Sequence, residues 1–140
     1  PAWATTIYYP YQFASLHGRG TTLNVAVDGP RYDARVAQDV NYLDVAAVLA
    51  PDGRSITIFA INRSPDATMD LDLALHGFDG LGLIDHQVMG GNSADARIAN
   101  TAAQPDRITP RKGEKLAVAD GRVTGELPAF SYSVIRLSVG

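Results

Sequence analysis

Eight residues, Ser55 to Asn62, are apolar on both sides of an extended chain: Ile56 and Ile58 point one way, Phe59 and Ile61 the other. A strand with two greasy faces needs cover on both, so it belongs in the middle of a layered β structure rather than at an edge. The segments around it fit that demand. Met69, Leu71, Leu73 and Leu75 share one face of a strand whose other face carries Asp70 and Asp72, the pattern of a half-solvated strand. Leu23, Val25 and Val27 alternate, Val40 to Ala50 is rich in β-branched residues, and Leu83–Met89 reads as a further strand. Asp52-Gly53 and Asp120-Gly121 are turn signals, and the second joins Lys115–Ala119 to Arg122–Leu127 with Val118 set opposite Val123. Ser131 to Val139 closes the series, with Ile135, Leu137 and Val139 on one face. Seven or eight short strands separated by turn residues specify an all-β fold, an antiparallel β-sandwich of jelly-roll or Greek-key type.

Two stretches break the pattern. From Trp3 to Leu16 the chain holds Trp3, Tyr8, Tyr9, Tyr11 and Phe13, five of its eleven aromatics. Ile7, Tyr11 and Ala14 have the spacing of a helix face, Pro10 suits a first helical turn, and Gly18 suits a stop, so a helix is expected over residues 10–17. Aromatics of this kind serve either burial against a larger body or sugar stacking. Residues 90–114 are rich in Gly, Asn, Pro and Ala without periodicity, a connection long enough to be a wrapped or functional loop.

Composition removes several functions. A net charge of −3 over 140 residues gives no basic footprint for nucleic acid. No run approaches about 18 apolar residues, so a membrane-spanning helix is not expected. The chain has no cysteine, hence no thiolate metal site or Cys nucleophile, and this favours the cytoplasm over an oxidising compartment. His17, His76 and His86 lack metal-ligand spacing, no phosphate-binding glycine motif or nucleophile elbow occurs, and no cofactor is implied. Asn62-Arg63-Ser64 matches a glycosylation sequon, but Pro65 follows it. Thirteen of the fifteen acids are aspartate, which leaves Glu114 and Glu126 as the only glutamates. Glu114 sits in a loop and Glu126 near a strand end, neither with an evident partner, and Asp70 and Asp72 read as a solvated strand face. No catalytic residue is therefore assigned. The chain begins at Pro1 without Met and reads as a processed product or a piece of something longer.

An ordered set of short words resembles a known family. Thr6-Ile7-Tyr8-Tyr9-Pro10-Tyr11, Ala14-Ser15 and Gly18-Arg19-Gly20 are similar to the last barrel helix of the family fifty-one glycoside hydrolases, the α-L-arabinofuranosidases. Asp28-Gly29-Pro30-Arg31-Tyr32-Asp33, Tyr42-Leu43-Asp44, Ile58-Phe59-Ala60-Ile61-Asn62-Arg63, His76-Gly77-Phe78 and Asp85-His86 continue the match. So do Asn100-Thr101-Ala102 with Pro105, Asp120-Gly121-Arg122-Val123, Leu127-Pro128 and Val134-Ile135-Arg136-Leu137. The chain departs from the family's pattern at His17 and Tyr132, where Tyr and Trp are common, and at Gly90-Gly91, which replace an acidic patch.

The resemblance implies a helix left from a (β/α)8 barrel over residues 1–20 and a C-terminal β-sandwich over 21–140. It implies a parent enzyme that removes terminal α-L-arabinofuranosyl groups from arabinan and arabinoxylan with retention, using two barrel glutamates that precede this sequence. The implied partners are that barrel, arabinose-containing saccharides bound through it, and further copies in a homo-oligomer. A short N-terminal segment of the parent is implied to complete the sandwich. Trp3 precedes the helix and so follows the last barrel strand, which makes it the candidate substrate-binding residue. The competing reading is an independent carbohydrate-binding sandwich or accessory subunit. Past residue 20 its aromatics are Tyr32, Tyr42, Phe59, Phe78, Phe130 and Tyr132.

Overall fold

The computed structural model describes residues 2–93 and 95–140. One helix, α1 (Tyr8–His17), precedes eleven β segments. They are β1 (Thr21–Leu23), β2 (Arg31–Tyr32), β3 (Val40–Asn41), β4 (Leu43–Leu49), β5 (Ser55–Asn62) and β6 (Met69–Ala74), followed by β7 (Gly82–Gly90), β8 (Arg111–Lys112), β9 (Leu116–Ala119), β10 (Arg122–Leu127) and β11 (Ser131–Ser138). A six-stranded sheet has the order β1-β4-β5-β11-β7-β8, a three-stranded sheet the order β6-β10-β9, and β2 and β3 form a separate small hairpin. Every pairing is antiparallel. This is the antiparallel β-sandwich expected.

The two-faced strand lies where its composition requires. β5 pairs with β4 on one side and β11 on the other, in the middle of the larger sheet. Its Ile56, Ile58 and Ala60 meet Ile135 and Leu137 of β11 and Leu71, Val123 and Leu127 of the smaller sheet in the core between the layers. Its other face, with Phe59 half-buried and Ile61 38% exposed, forms part of the outer surface of the larger sheet. The β9–β10 hairpin has the expected register, Val118 opposite Val123. Its two-residue turn places Asp120 and Gly121 at φ 52° and 71°, as a type I′ turn demands.

Three readings change in detail. The helix starts at Tyr8, two residues earlier than expected, with Pro10 still inside the first turn, where its missing N–H costs nothing. The alternating segment at Leu23, Val25 and Val27 is paired only from Thr21 to Leu23. Val25 still packs on the core, because alternation reports side-chain burial and not ladder hydrogen bonds. On β7, a bulge at Ile84 lets Asp85 pair with Arg136 and Leu83 with Leu137, leaving Leu83 and Ile84 both exposed.

The long connection after β7 is a wrapped loop. It carries the two-residue β8, buries Asn100 and Ile108, and folds back against the residues that lead into α1.

Candidate functional site

The helix shows two different sides. Pro10, Phe13 and His17, spaced three and four apart, are half-buried on the side toward the sheet. Of the stripe that marked the helix in the sequence, Tyr11 and Ala14 face solvent, Tyr11 being 71% exposed, while Ile7, 63% exposed, borders the gap between helix and sheet. No residue of the helix is buried.

Between the start of α1 and the outer face of the larger sheet lies a cleft of about 750 Å³. Ile7 and Pro10 form one wall, Ile61, Met89 and Tyr132 the floor, and Tyr32, Ile98 and Phe130 the rim. The outward half of each floor strand supplies these side chains, because alternate residues of β5, β7 and β11 face away from the core. Burial pushes the Tyr132 phenol up to about 12, so it stays neutral. At the far end of the helix, His17 is held below the usual histidine range by burial and by Arg136, with Asp85 opposing.

The rim is built rigidly. Tyr32 and Tyr42 stack with ring centroids 4.5 Å apart. Arg63 donates to the Asn41 carbonyl at 3.0 Å and to Asp44 at 2.6 Å. On the opposite side, Asn100 ties the long loop to the front segment. Its backbone N–H donates to Thr6 Oγ1 at 3.0 Å, and its Nδ2 donates to the Ala4 carbonyl at 3.2 Å and the Ile108 carbonyl at 2.8 Å. Its Oδ1 accepts from the Ile108 N–H at 2.6 Å.

The sequence-derived candidates do not converge on a catalytic centre. Glu126 pairs with Lys115 at 2.7 Å on the outer face of the smaller sheet, the opposite side of the sandwich from the cleft. Glu114 is exposed between β8 and β9. Asp72, held below the usual carboxylate range by its hydrogen bond from Arg122, lies with Asp70 on the solvated outer face. Among the described residues the cleft lining contains one carboxylate, Asp95, where glycoside hydrolysis by an acid and a nucleophile or base needs two. Among the described residues no group of three metal-ligating side chains occurs. His86 is buried against Ser133, 3.3 Å away, and Gly113 lies over its ring. Trp3 is 43% exposed, next to the anchored Ala4.

Two buried asparagines, Asn62 and Asn100, make hydrogen-bond brackets that nothing in the sequence reading had given them. Asn62 donates to the carbonyls of Ala67, Leu127 and Pro128 and accepts from the Ser64 N–H. It is 1% exposed, so the sequon at this position is inaccessible in the folded chain.

Comparison with known families settles what this scaffold is. The family model described as the alpha-L-arabinofuranosidase C-terminal domain matches residues 1–131. The chain belongs to this family. The arabinofuranosidase C-terminal domain described here is 37% identical over 97% of its length to an intracellular exo-alpha-(1->5)-L-arabinofuranosidase of Streptomyces lividans, covering 20% of that protein. It is 35% identical over 98% of its length to the protein of the same name from Halalkalibacterium halodurans, covering 27% of it. Among solved structures, a family 51 alpha-L-arabinofuranosidase from Bifidobacterium longum superposes with a TM-score of 0.86 at 29% identity, over 97% of this domain and 26% of that chain. The domain thus spans about a quarter of the length of the relatives it matches.

Proposed function

We propose that this domain is the non-catalytic part of an exo-acting α-L-arabinofuranosidase. The parent removes terminal α-L-arabinofuranosyl residues from arabinan or arabinoxylan with retention, and its acid/base and nucleophile glutamates lie in a barrel upstream of Pro1. The observation that carries this reading is α1. Its inner side rests on the sandwich while its outer side presents Tyr8 and Tyr11 to solvent, as suits a helix lying between two bodies. The relatives' activity, exo-alpha-(1->5)-L-arabinofuranosidase, supplies the substrate class. The unequal sheets, six strands against three, favour completion of the smaller one by a further segment of the same polypeptide. The sandwich in turn buttresses the barrel and contributes to a homo-oligomer.

The test compares two pure proteins on an aryl α-L-arabinofuranoside. The full-length natural polypeptide turns it over, and residues 1–140 alone do not. Turnover by the 140-residue chain overturns the reading.

A further inference from the structure

The segment Ala2–Ile7 has no regular secondary structure, yet it runs directly into α1. Apart from the helix's own first turn, its hydrogen bonds among the described residues go to Asn100. Asn100 is itself locked. Its side chain exchanges two hydrogen bonds with the Ile108 backbone, in the manner of a strand pair, and it is 6% exposed. That leaves one amide hydrogen and the backbone N–H aimed at Ala4 and Thr6. The bracket spans 94 residues of sequence.

In a (β/α)8 barrel the strand-to-helix connections lie on the face that holds the active site. A segment that leads into the barrel's last helix therefore lies on that face, and Trp3 with it. We propose that Asn100 is a positioning residue for the substrate site: from within the sandwich it fixes the backbone of residues 4–6 and so sets where Trp3 stands at the barrel mouth. The inference rests on the reading that a catalytic barrel precedes α1. The sandwich then does more than support the barrel; it supplies the rigid half of a substrate-facing loop. A small displacement of such a loop is expensive, since misplacement by about 1 Å costs up to roughly a hundredfold in rate or affinity.

The experiment uses the full-length polypeptide. Thr6→Val removes one link from the segment side and leaves the Asn100–Ile108 clamp intact, so it tests the proposal even if Asn100→Ala fails to fold. Thr6→Ser keeps the hydroxyl acceptor. The expected result is a KM for arabino-oligosaccharide raised about tenfold in Thr6→Val, a kcat changed less than about threefold, an unfolding temperature near wild type, and recovery in Thr6→Ser. In a Trp3→Ala background, Thr6→Val adds no further loss, because both changes act through the same side chain. An unfolding temperature that falls while KM and kcat stay at wild-type values assigns Asn100 and Thr6 a structural role and overturns the proposal. A full-length wild type without arabinofuranosidase activity overturns the underlying reading as well, which separates the two failures.

Discussion

Asn62 concentrates more of the domain's polar stability than any other side chain described above. Its two amide hydrogens serve three carbonyls, Ala67 at 2.9 Å, Pro128 at 3.0 Å and Leu127 at 3.1 Å, and its oxygen accepts from Ser64 at 2.9 Å. It thereby joins the end of β5 to the turn after it and to the β10–β11 connection. Asn62→Ala removes three hydrogen-bonding valences worth about 1 kcal/mol each, and it also orphans the buried Leu127 carbonyl and Ser64 N–H. The expected loss is about 3–5 kcal/mol, a large share of the ~5–15 kcal/mol typical of a domain. Asn62→Asp keeps the acceptor for Ser64 but turns a carboxylate toward three carbonyl oxygens, so near neutral pH it costs at least as much as alanine. Its folded-state pKa rises above the unfolded value of about 3.9, because the protonated acid regains one donor. A raised folded pKa means that the native state binds the proton first, so the Asp variant recovers ground on the Ala variant as the pH falls toward about 4. Urea unfolding at several pH values, read by circular dichroism, measures both effects. Either variant lying within about 1 kcal/mol of wild type, or an Asp–Ala gap independent of pH, refutes this account of the bracket.

His86 carries a pH dependence of opposite sign. Burial lowers its pKa from 6.5, against a smaller opposing effect of Asp85, so the unfolded chain takes up the proton first. Its contribution is fully present above about pH 6.5 and is lost as the pH falls through the lowered folded value. Subtracting the stability profile of His86→Gln from that of wild type isolates this loss from the parallel one at His17, and a flat difference between pH 7 and 5 refutes it. Gly113→Ala would drive a methyl group into the His86 ring at Nδ1, a ring wedged under the backbone. It costs about 3 kcal/mol in thermal unfolding, and His86→Ala in the same chain relieves part of it; a neutral Gly113→Ala counts against the contact.

Much of the fold was legible because its signals are local. The two-faced β5, the Asp-Gly turn after β9 and the alternating β6 each state their environment within a few residues. The helix was legible as a helix, yet its orientation was not. The Ile7–Tyr11–Ala14 stripe has the spacing of a buried face and is exposed, because spacing shows that a face exists and not which body it meets. The site was less legible. An asparagine in a Gly- and Ala-rich loop has no periodicity to betray it, and the value of Asn100 comes from partners 94 and 96 residues away. The sequence singled out Trp3 as the candidate substrate-binding residue and assigned no catalytic carboxylate. It held no local signal for the clamp that holds the segment beside Trp3.

The Asn100 bracket also sets an order of events during synthesis. A ribosome adds about 5–20 residues per second, so the 94 residues between Thr6 and Asn100 take roughly 5–20 s to emerge. Until then the segment ahead of α1 is without its clamp. The segment that leads into α1 is thus fastened only after most of this domain has been made. A chain that stops short of Asn100 is released with that segment unfastened.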